Sequence, residues 1–166
     1  MKSEMTPNLK ERPDHLTLEK HMKANAADLY KAWTENFDLW FAQPGELIMA
    51  PEIDRPFFFY NRHDWGRHAH YGRFLELQQD RLIEMTWLTG KGGTFGAETV
   101  IRIELSPQDQ GTMFRMTHSG FDDEKAAKAH KDNWPLALDE LDQKLTTYPQ
   151  HIRDQRRGHI TNRVTE

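Results

Sequence analysis

The chain has 166 residues, no cysteine and a formal net charge of −4 at pH 7. This length fits one domain, the absence of cysteine excludes disulfides and thiolate sites, and the acidic balance argues against nucleic-acid binding, which needs clustered Lys and Arg. No apolar run is long enough for a signal peptide or a membrane span, so we expect a cytoplasmic protein.

The apolar residues are unusually aromatic for so polar a chain, which holds five Trp, nine Phe and seven Met. Large aromatic side chains and flexible Met line cavities for apolar ligands, but they also fill solid cores. Core filling is the commoner use, so composition alone does not predict a cavity.

The first third of the chain predicts a strand and then helices. Residues 1–14 are polar and predict a flexible N-terminus. Residues 15–23 alternate apolar and polar side chains, which is the period of a half-buried strand. Residues 26–45 place their apolar side chains at helical spacing and end at Pro44 and Gly45, which predicts a helix followed by a second short one.

The middle of the chain predicts strands separated by turn residues. Because these strands follow one another so closely, they must pair as hairpins in an antiparallel sheet, since a parallel crossover needs a dozen or more residues. The alternation of apolar and polar residues in the last two predicts one apolar and one solvated face. The predicted strands are residues 46–50, 56–62, 67–77, 82–88, 97–105 and 112–119.

A long helix is predicted after the sheet. Asp122, Asp123 and Glu124 favour a helix start, and apolar residues from Ala127 to Tyr148 recur at spacings of three and four. Pro135 interrupts this pattern, so we expect either a kink or a restart capped by Asn133. The predicted domain is therefore 15–148, followed by a polar C-terminal tail at 149–166.

Three stretches of sequence resemble the SRPBCC superfamily (START and Bet v 1-like proteins), in the branch similar to the C-terminal domain of the activator of heat shock protein 90 ATPase. They are AADLYKAWTENFDLWFAQPG, YGRFLELQQDRLIEMTW and GTMFRMTHSGFDDEKAAKAHKDNWPLALDEL. The resemblance implies an α+β helix-grip fold, in which a curved antiparallel sheet of six or seven strands wraps a long C-terminal helix. It also implies a cavity that in relatives admits apolar small molecules.

Nine residues are predicted to bind such a ligand. Seven are expected to form the cavity wall, and Tyr71 and Arg73 would meet the polar end of the ligand if their strand faces inward. The phase of that strand is ambiguous, because Phe74, Leu75 and Leu77 fit either register. The seven wall residues are Trp40, Trp87, Phe114, Met116, His118, Trp134 and Leu138.

The histidines and the glycine-rich stretch are candidates for other kinds of site. His68 and His70 would point to one face of a strand, near His63, but we interpret this face as an outward surface with no defined third metal ligand. His118 shares the inward face with Phe114 and Met116 and could donate to a ligand or deprotonate it, although a histidine at such a position is more often a satisfied core residue. The stretch from Gly90 to Gly93 lacks the order of a phosphate-binding loop and predicts a flexible hairpin connection. We therefore predict no metal site, no cofactor and no catalytic residue.

Three functions remain open from the sequence. The first is binding of an apolar or amphipathic small molecule by a monomer or homodimer. The second is an interaction module that serves as a chaperone cofactor. The third is an enzyme of the polyketide cyclase or dehydratase type, in which His118 or Tyr71 would be the acid or base.

Overall fold

The structure, a computed structural model, describes residues 1–147. Seven strands form one antiparallel sheet in the order β1-β7-β6-β5-β4-β3-β2, and the long terminal helix lies against its inner face. The helix-grip prediction is confirmed. The strands are β1 (Asp14–Met22), β2 (Leu47–Ile48), β3 (Pro56–His63), β4 (Gly66–Gln78), β5 (Leu82–Thr89), β6 (Thr99–Gln108) and β7 (Gly111–Phe121), and the helices are α1 (Ala26–Thr34) and α2 (Glu124–Thr147).

The helix pair predicted after β1 consists of α1 and a short 3-10 turn at Phe37–Leu39. Asn25 caps α1 by accepting a hydrogen bond from the amide of Asp28 at 2.8 Å, which satisfies one free donor of the first turn. The 3-10 turn redirects the chain so that Trp33, Phe37 and Trp40 all pack into the interior. This aromatic cluster closes one end of the core.

The inner face of the sheet is apolar, as the alternation in β6 and β7 predicted. Ile101 and Ile103 pair with His118 and Met116 across the two strands, and all four side chains are buried. Because side chains alternate along a strand, the residues between them face the solvated side. Ile101, Ile103 and Met116 therefore belong to the hydrophobic core.

Helix α2 lies across this face and is anchored at both ends. Asp123 accepts a hydrogen bond from the amide of Ala126 at 2.8 Å, which caps the start of the helix. Near the other end, Asp142 accepts hydrogen bonds from the amides of Lys23 and Ala24, both at 2.9 Å. The helix is therefore pinned to the connection between β1 and α1.

Helix α2 continues through Pro135 without interruption. The predicted alternative of a restart capped by Asn133 is therefore wrong. Proline removes only one helical hydrogen bond, the one that would reach the carbonyl of Lys131, and that residue is exposed so that water can replace the donor. Packing of Trp134 and Leu138 on the sheet holds the helix together on both sides of the proline.

The predicted flexible N-terminus lies against the sheet in the structure. The amide of Ser3 donates to the carbonyl of Leu75 at 2.6 Å, and Arg12 donates to the carbonyl of Gly120 at 2.9 Å. This segment covers the outer side of β4, so Leu75 is buried although it points away from the main core. Tyr148 and the predicted tail at 149–166 lie outside the described residues.

Candidate ligand-binding site

An open cavity of about 740 Å³ lies between the sheet and the middle of α2. This volume is within the range of about 300–1,000 Å³ that is usual for small-molecule sites. Its walls come from β3, β4, β5, the loop after β5, α2 and the segment that follows the 3-10 turn. The aromatic lining residues are Phe41, Trp65, Trp87 and Trp134, and the main polar ones are Asn61, His63, His68, His70, Lys91 and His130.

Three aromatic rings form a continuous wall inside the cavity. The ring centroid of Phe41 lies 5.8 Å from that of Trp87 and 6.0 Å from that of Trp134. The centroids of the two indoles are 5.6 Å apart. At the mouth, Trp65 is 69% exposed and stacks on His63 at 5.0 Å. Such rings offer flat apolar surfaces to a ligand while each remains fixed by its neighbours.

The prediction that His63, His68 and His70 lie on an outward strand surface is wrong. All three line the cavity, and His70 is only 3% exposed. The two histidines of β4 do share one face, as their spacing required. That face points inward because the hairpin of β3 and β4 stands opposite α2, from which His130 completes the group.

Burial keeps most of these imidazoles neutral. It lowers the pKa of His70 to about 3, with repulsion from His68 adding to the effect, although His70 Nδ1 is bonded to the His68 carbonyl. Burial also lowers the pKa of His68, which His63 and His130 lower further. The pKa of His130 is lowered by burial too, against the opposing effect of its bond to the Ala126 carbonyl. His68, His70 and His130 are therefore neutral at pH 7.

Two polar atoms in the cavity wall have no hydrogen-bond partner. They are Asn61 Oδ1 and His68 Nε2, and both are buried. The two residues pair directly across β3 and β4, so their side chains are neighbours on the same face. Buried polar atoms are nearly always bonded, and leaving one unpaired costs about 1–3 kcal/mol. This pair marks a place that a polar ligand group can complete.

His118 is a satisfied core residue and does not line the cavity, although it was also predicted as part of the wall. Trp134 Nε1 donates to His118 Nδ1 at 3.1 Å, so Nε2 carries the proton and donates to Thr99 Oγ1 at 2.7 Å. The Thr99 hydroxyl in turn donates to the carbonyl of Trp87. His118 is completely buried and lies behind the wall, where it connects the side chain of Trp134 to the backbone of Trp87.

The other predicted ligand-binding residues divide between the wall and the core. Trp87 and Trp134 line the cavity, and Trp40 lines a smaller neighbouring cavity of about 400 Å³. The remaining three are fully buried on the inner face and do not reach the cavity surface. They are Phe114, Met116 and Leu138.

Tyr71 and Arg73 face the opposite side of the sheet. Tyr71 is 44% exposed, and Arg73 bonds to Asp54 and to the hydroxyl of Ser3. The ambiguous register of β4 is thereby settled, because His68 and His70 point inward and the odd-numbered residues beside them point outward. With Tyr71 outside and both nitrogens of His118 engaged, neither proposed acid or base faces the cavity.

The glycine-rich stretch is a hairpin connection, as predicted, and its base is held by hydrogen bonds. The amide of Thr89 donates to Thr94 Oγ1 at 2.9 Å, and the amide of Thr94 donates to Thr89 Oγ1 at 2.7 Å. A Cβ at Gly93 would lie only 1.9 Å from that Thr89 oxygen, so glycine is required there. This reciprocal pair fixes the loop that carries Lys91 to the cavity.

Within residues 1–147, no group of three or more His, Asp or Glu side chains is arranged to hold a metal ion. No helix in the same range is long and apolar enough to cross a membrane.

A family model matches most of the chain. The model described as Activator of Hsp90 ATPase homolog 1-like protein matches residues 23–146. The chain belongs to this family. The resemblance seen in the sequence is thereby confirmed, and the matched range contains every cavity residue named above.

Solved structures show the same fold at low sequence identity. A protein from Mesorhizobium loti has a TM-score of 0.67 and 22% identity, over 81% of this chain and 98% of that one. A protein from Chromobacterium violaceum has a TM-score of 0.67 and 18% identity, over 78% and 96%. The Aha1 dimer from Colwellia psychrerythraea has a TM-score of 0.58 and 18% identity, over 79% and 95%. No protein of curated function matches this chain.

Proposed function

We propose that this member of the activator of Hsp90 ATPase homolog 1-like family binds a small apolar or amphipathic molecule in the cavity between the sheet and α2. The observation that carries the proposal is the cavity of about 740 Å³, which has an aromatic wall and two unpaired buried polar atoms. Binding pockets usually combine a mostly apolar lining with a few placed polar groups.

The cavity occupies a part of the fold that side chains do not fill. Deeper along the same inner face, Phe114 and Met116 are completely buried against the sheet and α2. At the cavity, by contrast, α2 presents Ala129 and Ala137, which are too small to close the gap to Trp87. Small residues on the helix and large ones on the sheet therefore leave room for a ligand.

Filling the cavity from α2 is expected to abolish binding. Ala137→Trp places a large side chain at a lining position, whereas Leu136→Trp adds a comparable ring at a neighbouring position that is 68% exposed. We expect the neutral fluorescent probe N-phenyl-1-naphthylamine to bind the parent chain and to raise its melting temperature. Ala137→Trp should weaken this binding at least about tenfold, because the added ring occupies the same space.

Fluorescence titration and thermal shift measure this effect directly. Leu136→Trp should keep the probe affinity within about twofold of the parent, since its side chain is added outside the cavity. Two variants that weaken binding equally would contradict the proposed site, and a parent chain that binds neither this probe nor the pyrene probes described below would contradict the function.

A second candidate function is docking to a chaperone, which the family description suggests. Two large apolar side chains beside the cavities support it, since Trp65 is 69% and Leu136 is 68% exposed. Exposed apolar residues of this kind are common at protein interfaces. A pull-down with purified Hsp90 tests this function, and a chain that retains no chaperone counts against it.

A further inference from the structure

The polar lining of the cavity contains no carboxylate. Its hydrogen-bonding side chains are Asn, Thr, His and Lys, with neither Asp nor Glu among the described residues that line it. Lys91 carries the one permanent charge of this lining, is exposed, and forms no ion pair with any carboxylate in residues 1–147. The cavity therefore offers a cation and several neutral donors without a competing negative charge.

Two acidic side chains near this region are paired with other cations, whereas Asp64 lies exposed in the turn between His63 and Trp65. Glu46 is held by Arg62 at 3.2 Å and by Arg67 at 3.1 Å. Glu140, which lines the smaller neighbouring cavity, pairs with Lys144 at 2.9 Å. The negative charges of Glu46 and Glu140 are therefore offset by these partners and oppose Lys91 little.

The imidazoles of the lining lie close to one another and have no carboxylate beside them in that lining. The ring centroid of His68 lies 6.0 Å from that of His63 and 4.7 Å from that of His70. His130, on α2, also lowers the pKa of His68. In addition to burial, repulsion from His63 and His130 lowers the pKa of His68, and repulsion from His68, His63 and His130 lowers the pKa of His70. An anionic ligand group would supply the opposite charge that this cluster lacks.

We infer that the cavity takes an anionic aromatic molecule, whose rings pack on Trp87 and Trp134 and whose carboxylate or equivalent group faces Lys91 and His68. This inference rests on the proposed binding function and specifies its ligand class. The aromatic wall suits a flat ring system, and His68 Nε2 is an unpaired group beside it. Charge complementarity then selects acids over neutral or cationic molecules of the same shape.

Three probes with one ring system test the charge preference. They are pyrene-1-carboxylate, pyrene-1-carboxamide and 1-pyrenemethylamine, titrated by fluorescence at pH 7. We expect the acid to bind at least about fivefold more tightly than the amide, and the amine to bind most weakly. Equal affinities for acid and amide, or tightest binding of the amine, would overturn the inference.

Lys91→Gln tests the cation itself, with Lys125→Gln as the matched control. Lys125 is exposed on α2 and does not line the cavity, so its loss changes the net charge equally without changing the site. We expect Lys91→Gln to lower the ratio of acid to amide affinity about threefold, which is the size of effect an exposed ion pair gives. An unchanged ratio in Lys91→Gln, or an equal change in both variants, would contradict the assignment.

The pH dependence of binding provides an independent test. The groups that face the proposed anion are His63, His68 and His70 from β3 and β4, Lys91 from the loop after β5, and His130 from α2, with His118 behind Trp134. Binding of the acid should strengthen from pH 8 to pH 6 with proton uptake, whereas amide binding should not. A flat profile for the acid would contradict the role of the imidazoles.

The outcomes separate the two claims. If neither the pyrene probes nor N-phenyl-1-naphthylamine binds, the proposed function itself fails. If the neutral probes bind and the acid shows no advantage, the binding function stands and the anionic ligand class is overturned.

Discussion

Replacing His118 with Ala is expected to lower the free energy of unfolding by about 3–5 kcal/mol. The substitution opens a void at a completely buried position. It also leaves the buried Trp134 Nε1 without its acceptor and Thr99 Oγ1 without the donor it accepts from, because both atoms bond to this imidazole. The wall of the cavity should loosen as a consequence, since His118 connects Trp134 to the strand that carries Trp87.

Urea denaturation measures this loss as a lower midpoint with an unchanged slope. His130→Ala is a suitable control, because this nearby imidazole is only half-buried and bonds to a single backbone carbonyl. We expect His130→Ala to lower the free energy of unfolding clearly less than His118→Ala does. A His118→Ala variant that keeps its stability but no longer binds ligand would contradict the structural role and would place this residue in contact with the ligand.

Acidification from pH 7 to pH 4 is expected to cost about 3 kcal/mol of stability through His70 alone. The pKa of this buried ring is lowered from 6.5 to about 3 in the folded chain. In the unfolded chain His70 binds a proton below pH 6.5, whereas in the folded chain it binds one only below about pH 3. The free energy of unfolding therefore decreases as the pH falls from 6.5 to about 3. Burial lowers the pKa of His118 as well, which adds loss in the same direction.

His70→Phe tests the origin of this pH dependence. The substitution keeps a ring against Phe59, on which His70 stacks at 4.8 Å, and removes the titrating group. Unfolding free energies measured from pH 7 to pH 4 should fall less steeply in His70→Phe than in the parent. His15→Gln, at an exposed position of β1, should leave the slope unchanged. Equal slopes in the parent and in His70→Phe would show that His70 is not the group responsible.

Much of the fold was predictable because simple periodicities were intact. In β6 and β7 the alternation of apolar and polar residues gave the inner face directly, and Ile103 and Met116 were buried as expected. In α2 the spacing of Trp134, Leu138 and Leu141 gave the buried stripe in the same way. These elements have one buried and one solvated face, so pattern and burial agree.

The strand β4 was harder to interpret because both of its faces are buried at one end. Phe74 packs in the core while Leu75 is covered by the N-terminal segment, and the register shifts between Phe74 and Glu76. A period-two pattern cannot distinguish the faces of such a segment. Tyr71 was consequently predicted to face the cavity, but in the structure His70 faces it and Tyr71 does not.

The position of the cavity could not be obtained from the sequence for a related reason. An apolar inward residue has the same pattern whether it packs against another side chain, as Met116 does, or borders empty space, as Trp87 does. Asn61 and His130 were missed because their roles depend on the approach of β3 to α2. One signal in the sequence could have indicated them. Polar residues recur at a spacing of two along this hairpin, with Asn61 and His63 on β3 and His68 on β4.

The five indole N–H signals of the chain provide the most direct test of ligand binding in this cavity. Trp65, Trp87 and Trp134 line the cavity, whereas Trp33 and Trp40 do not. In a proton–nitrogen correlation spectrum, titration with pyrene-1-carboxamide or pyrene-1-carboxylate should shift the first three indole signals and leave that of Trp33 in place. No indole shift at saturating probe, or shifts confined to Trp33 and Trp40, would contradict a binding site between the sheet and α2.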